Sequence, residues 1–320
     1  MKLYRRIPNQ KELVETGPIV RSAVLAQPQP FAIRLAMAFA SLVLVTLSAF
    51  LIGRFFVLND SATALQIIDQ TLSDKMFWSA IAVGFLAQAI DGALGMAYGI
   101  TSTTFLLSAG ASPAMASASV HIAEVFTIGV SGVSHAKLGN VNKKLFLRLL
   151  VPGITGAVLG AIFITQIDGA VMKPFISIYL LLMGIYILSK AWRKIKVRTK
   201  APNHVGKLAL FGGFVDSAGG GGWGPVVTTT LVGSGNDPRT TIGSVNFAEF
   251  FLALAGAVSF TLLIGSGVWV LVLGLVIGGL FAAPFAALMT KKLNARILLI
   301  LVGTLISIVS SYNLYKALIP

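Results

Sequence analysis

Two stretches of this sequence combine a carboxylate, a run of glycines and a row of hydroxyls. The first is Asp91-Gly-Ala-Leu-Gly-Met-Ala-Tyr-Gly99, followed by Thr101, Ser102, Thr103 and Thr104. The second is Asp216-Ser-Ala-Gly-Gly-Gly-Gly-Trp-Gly-Pro225, followed by Thr228, Thr229 and Thr230. A glycine costs about 1 kcal/mol against alanine inside a helix, so the run Gly219 to Gly222 predicts a backbone that leaves helical geometry or closely approaches a ligand. A helix restarting at Tyr98 or Pro225 would point free N–H groups and a partial positive charge at the break, which suits an anion. The hydroxyls would add donors without charge. Two other readings stay open: the threonines can bond back to their own helix carbonyls, and glycine pairs such as Gly95/Gly99, Gly156/Gly160, Gly220/Gly224 and Gly274/Gly278 can serve close helix packing. Tyr98 and Trp223 stand at equivalent places, to gate such a site or to fill it.

Four of the eleven acids, Asp91, Glu124, Asp216 and Glu249, lie within or at the ends of apolar segments. An acid at the centre of a spanning helix costs roughly 2.5 to 3.5 kcal/mol, so such residues usually face a cavity and serve function. They could carry protons, ligate a cation or brace a broken backbone. Three residues before Glu124 stands His121, on the same helix face, and histidine changes charge near neutral pH. Ser119, His121 and Glu124 correspond to Ser244, Asn246 and Glu249, which predicts two polar stripes facing a shared cavity. Because Asn246 replaces histidine and the other two histidines, His135 and His204, lie near loops, no metal site is expected.

Residues 91–126 align without gaps onto 216–251, with 14 of 36 positions identical, among them both aspartates, Pro113 with Pro238, and Glu124 with Glu249. The candidate substrate contacts are therefore drawn from both copies. They are Gly95, Tyr98, Gly99, Thr103, Thr104, Ser119 and His121 from the first, and Gly220, Gly221, Gly222, Trp223, Gly224, Thr228, Thr229, Ser244 and Asn246 from the second.

The elements that must position these residues are hydrophobic. The chain has 320 residues, 56% hydrophobic and 11% charged, against roughly 25% charged in soluble domains. The pattern predicts an all-α polytopic membrane protein. A polar, basic tail (1–30) precedes one extra transmembrane helix (31–55), a first repeat (77–189), a basic linker (190–206) and a second repeat (207–316). Each repeat reads as five apolar segments. In each, the first two (77–90 and 98–109, then 207–217 and 223–234) are short enough to be re-entrant; spanning is the alternative. The net charge of +14 sits in clusters between segments, as the positive-inside rule places them, so no nucleic-acid partner is expected. The loop carrying Lys137, Lys143, Lys144 and Arg148 corresponds to the uncharged 265–267, whereas the next loop is basic only in the second repeat, at Lys291, Lys292 and Arg296. Corresponding loops should therefore face opposite sides, as in an inverted-topology repeat whose site lies near the midplane. The tail, linker and basic loops belong in the cytoplasm. No nucleotide loop, nucleophile elbow or zinc-protease pair occurs, so neither enzyme activity nor a cofactor is expected. Cysteine is absent.

The stretch from Asp216 to Pro225, followed by Val-Val-Thr-Thr-Thr-Leu, Pro238, Gly243-Ser-Val-Asn246 and Glu249, resembles the sulfite exporter TauE/SafE family of membrane permeases. The similarity runs from about Trp78 to Tyr315. It implies transport, usually export from the bacterial cytoplasm across the inner membrane, of small sulfur-containing anions such as sulfite or sulfoacetate. The first copy departs from the glycine-rich form, with Leu94, Met96 and Ala97 where the second has Gly219, Gly221 and Gly222. Coupling to protons through the buried acids and His121 is one expected mode. A passive anion channel, or a carrier for a small organic anion without sulfur, is the other reading.

Overall fold

The computed structural model describes residues 30–56, 66, 69–94, 96–192, 204–264, 269–292 and 295–319. The basic tail, most of the linker, Gly95 and the loop 265–267 lie outside the described residues. Every regular element described is helical: α1 (Phe31–Phe56), α2 (Lys75–Leu94), α3 (Tyr98–Ser108), α4 (Pro113–Lys137), α5 (Lys143–Gln166), α6 (Gly169–Lys190), α7 (Val205–Gly219), a π-helical turn (Gly224–Thr228) running into α8 (Thr229–Gly233), α9 (Pro238–Ile264), α10 (Trp269–Lys292) and α11 (Ala295–Leu318). Six of the described segments, in α1, α4, α5, α6, α9 and α11, are long and apolar enough to cross a membrane.

Helix starts follow local chemistry. Ser112 caps α4 by accepting from the Met115 N–H at 3.3 Å, with Pro113 at the first helical position. Asp237 does the same for α9, accepting from Thr240 N at 2.9 Å. Asp168 caps α6 and Asn142 caps α5, so these polar residues are spent on free N–H groups at helix ends.

Apolar side chains cover the outside, and a set of polar ones is buried within an otherwise apolar core. Leu42, Val45, Phe175, Phe211 and Leu262 are exposed, whereas Thr101, Ser102, Ser119, His121, Ser217 and Ser244 are completely buried. That distribution suits a lipid surround, where polar groups collect between helices.

Helices pair reciprocally: α2 packs on α10 and α7 on α5, while α4 packs on α9 and α6 on α11. Small residues permit the approach. A methyl added at Gly156 would come within 2.7 Å of Phe214 N, and one at Gly278 within 2.7 Å of Phe85 N. The contacts also give direction. Gly129 faces Phe250, Gly132 faces Phe247 and Gly256 faces His121, so α4 and α9 are antiparallel. Gly184 meets Ser307 and Gly303 meets Leu188, so α6 and α11 are antiparallel too. The extra helix α1 lies against this bundle, with Leu44 over Gly129 and Phe39 stacked on Phe251 at 6.0 Å.

The first segments of the two repeats are longer than their hydropathy suggests. Helix α2 runs 20 residues, through Asp91, and α7 runs 15, through Asp216. At 1.5 Å per residue α2 measures about 30 Å, enough to cross a bilayer core, whereas the 11 residues of α3 reach about 16 Å. Lys190 is likewise the last residue of α6 rather than part of a linker.

Candidate functional site

Residues 97–99 of the first break and 219–222 of the second are buried, and the two breaks touch there. A methyl at Gly99 would stand 2.8 Å from the Gly221 Cα and 3.2 Å from Glu124 Oε1. The Thr103 hydroxyl donates to the Gly220 carbonyl, and Tyr179 donates to the Gly221 carbonyl at 2.6 Å. In the second break Gly220, Gly221 and Gly222 adopt φ of 71°, 141° and 151°, a region in which side chains are strained. In the first, Ala97 takes φ 87°, the only non-glycine residue described with positive φ.

Asp216 stands where these features meet. Its main-chain carbonyl accepts from Gly221 N at 2.7 Å and its Oδ1 from Trp223 N at 2.9 Å, so it holds the break together. Its Oδ2 lies 3.3 Å from His121 Nε2, an ion pair across the two repeats when the ring is protonated. Asp91 has the matching place, with the Tyr98 N–H in reach of its carboxylate.

The histidine is oriented from behind. His121 Nδ1 lies 2.9 Å from the Ser117 carbonyl. A carbonyl only accepts, so Nδ1 carries the hydrogen and Nε2 is the nitrogen left facing Asp216. Nε2 also meets the Ser217 hydroxyl at 3.1 Å, and the Ser117 hydroxyl donates to the Ser217 carbonyl at 2.6 Å. Phe260 closes one side, its ring 5.6 Å away.

Glu124 completes a buried cluster: one ligand atom each from His121, Glu124 and Asp216 falls within 4.8 Å of the others. Asp216 comes from the other repeat, so the spacing of histidines along the sequence does not reveal this third potential ligand. Three ligands fall short of the four of a closed structural zinc site. The same arrangement, two carboxylates and an imidazole, suits a shared proton. Glu249 lies in electrostatic reach of Asp216 and Asp91, so all four intramembrane acids form one group.

Several expected contacts are engaged elsewhere. Ser119 donates to the Met115 carbonyl at 2.7 Å and Thr104 to the Ile100 carbonyl at 2.7 Å, both within their own helices. Ser244 accepts from Asn142 N at 2.8 Å and donates to the Thr240 carbonyl, fixing the start of α5 rather than facing the acids. The Thr229 hydroxyl accepts from the Lys190 ammonium. Trp223 is fully buried, with its indole N–H donating to the Val245 carbonyl at 3.2 Å, so in this conformation it fills the bundle. Gly224 opens the π-helical turn, Thr228 is buried within it, and Asn246 is buried with its Oδ1 unpartnered. Ser117, Ser217, Tyr179 and Lys190 join these contacts without being marked by the repeat or by residue type. Ser117 was findable at four residues before His121, but Tyr179 sits in an apolar run with no signal of its own.

The model of the family described as "Sulfite exporter TauE/SafE" matches residues 80–313, which contain both breaks and all four acids. The chain belongs to this family. Among its relatives, the "Probable membrane transporter protein YtnM" of Bacillus subtilis (strain 168) is 44% identical over 242 residues, covering 72% of this chain and 80% of that one. The "Probable membrane transporter protein ORF9" of Sinorhizobium sp is 28% identical over 117 residues, covering 37% and 44%. No solved structure matches. Family membership, two relatives named as transporters and six apolar helices make this a multi-pass membrane transporter.

Proposed function

We propose that the chain is a secondary carrier of small sulfur-containing oxyanions such as sulfite or sulfoacetate, working by alternating access between two inverted repeats and moving protons with the anion. The bacterial inner membrane is its expected place, with the N-terminus inside and export, driven by the anion's own outward gradient, as the working direction. The sulfur chemistry rests on the family's name.

The observation that carries the mechanism is the His121 Nε2 to Asp216 Oδ2 contact, at 3.3 Å and almost fully buried. It links α4 of one repeat to the end of α7 in the other, one residue from the serine that also touches the ring. A proton on Nε2 ties the repeats together, and its loss weakens that tie beside the breaks. An anion can rest near Glu124 and Asp91 only once protons neutralise them, which makes joint movement of anion and proton the favourable course. Antiparallel packing of α4 on α9 and of α6 on α11 supports the inverted reading, because these are equivalent helices of the two repeats.

Counterflow distinguishes a carrier from a pore. Proteoliposomes preloaded with unlabelled sulfite should show saturable accumulation of labelled sulfite. Single-channel currents without saturation would point to a passive anion channel, and exchange of carboxylates but not sulfite would move the substrate class.

A further inference from the structure

We propose that Tyr98, Thr101 and Ser102 form the oxyanion-binding face of this transporter, a site that belongs to the first repeat alone; the proposal rests on the carrier reading above and names its ligand contacts. All three side chains are buried, at 2%, 0% and 0% exposure, and none of their hydroxyls has a hydrogen-bond partner. Their spacing of three and four residues puts them on one face of the first turns of α3. The Ser102 hydroxyl stands beside the Tyr98 hydroxyl as a hydrogen-bond neighbour outside ordinary geometry, and the Glu124 and Asp91 carboxylates face the same phenol, so an anion binds here only while those acids are protonated.

Among the described residues Thr241, Asn246 and Ser310 also hold an unpartnered buried atom, but only here do three such groups share one helix face. A helical serine or threonine readily closes its hydroxyl on the carbonyl four residues earlier, as Thr104, Ser119, Ser134, Thr155 and Thr230 do here. Thr101 and Ser102 have the same option and leave it unused. A buried hydroxyl without a partner costs folding free energy, so a cluster of three calls for a ligand that accepts hydrogen bonds. Sulfite and sulfonate oxygens do so, and the start of α3 contributes a partial positive charge. Gly99, between these residues, packs against Gly221 and Glu124, which places the face beside the junction of the breaks.

The second repeat has no counterpart. The residues equivalent to Thr101 and Ser102 are Val226 and Val227. Its break supplies glycine backbone against which the first is seated, and the first supplies the donors. Thr103 and Thr104 are outside this face, since their hydroxyls are bonded to the Gly220 and Ile100 carbonyls.

The test compares Thr101→Val/Ser102→Ala with wild type and with Thr104→Val, each as the full chain in lipid nanodiscs. Binding of sulfite and of sulfoacetate is measured by calorimetry, and unfolding by thermal scan. The face predicts at least a tenfold loss of affinity in the double variant with an unchanged or higher unfolding temperature, because unpartnered hydroxyls have been removed. Thr104→Val should bind within twofold of wild type. Tyr98→Phe, read the same way, serves if the double variant does not fold. Unchanged affinity in the variants while wild type transports sulfite overturns the face and leaves the carrier reading standing. Loss of binding together with a large fall in unfolding temperature assigns the hydroxyls to structure and also overturns it. Wild-type protein that binds neither anion overturns the carrier reading, and this one with it.

Discussion

Gly221→Ala should be among the most damaging single-methyl changes in this protein, and its cost can be separated into parts. At φ 141° an alanine is strained, which costs about 1–3 kcal/mol. Its Cβ would also run into the main chain of Gly99 and Ile100, where no side chain can swing away; overpacking of this kind costs about 1–3 kcal/mol. The sum is about 2–6 kcal/mol. Three other glycines isolate the contributions. Gly110 has φ 102° but nothing within 4 Å of an added methyl, so Gly110→Ala carries only the strain. Gly99 has ordinary φ but a methyl 2.8 Å from the Gly221 Cα, so Gly99→Ala carries only the clash. Gly233, helical and open, should gain up to about 1 kcal/mol as alanine. Thermal unfolding of the four variants in one detergent, followed by fluorescence-detected size exclusion, should rank Gly221→Ala lowest and Gly233→Ala highest. Gly221→Ala no less stable than Gly110→Ala would refute the close seating of one break on the other.

Thr103→Val removes the donor to the buried Gly220 carbonyl and should cost about 1–3 kcal/mol, seen as lower unfolding temperature. Tyr179→Phe leaves the Gly221 carbonyl without its 2.6 Å partner, a similar cost that the same scan would register. Asp216→Asn keeps an oxygen for the Trp223 N–H but removes the charge facing His121. It should fold better than Asp216→Ala, yet share its loss of transport in a liposome flux assay. His121→Asn, which places in the first repeat the residue found in the second, removes the Nε2 contacts to Asp216 and Ser217 and should lower transport in the same flux assay.

Much of this arrangement could be read from residue types alone. Paired aspartates and a four-glycine run mark the two breaks because neither belongs in a membrane helix without a reason, and Pro113 and Pro238 mark the helix starts that follow. The lengths of α2 and α7 were harder to read. Hydropathy falls at Asp91 and Asp216, but the helix continues because a carboxylate at a helix end can bond the N–H groups beyond the break, as Asp216 does with Trp223. Side-chain roles divided along the same line. A hydroxyl run looks like a row of donors, but whether each donor is free depends on helix phase and on the opposing helix. Thr104 turned inward to Ile100, Thr103 reached Gly220, and Thr101 and Ser102 reached nothing. Tyr179 and Ser217 joined the site through contacts 42 and 96 residues away in sequence, which local pattern does not encode.

The most direct test of the account is labelled sulfite flux in proteoliposomes under an imposed pH gradient, with wild type beside His121→Asn and Glu124→Gln. Coupling through the buried cluster predicts that the gradient drives uphill sulfite movement in wild type, and that both variants lose the uphill component. Uphill movement that survives in both, or wild-type flux indifferent to the gradient, would contradict it.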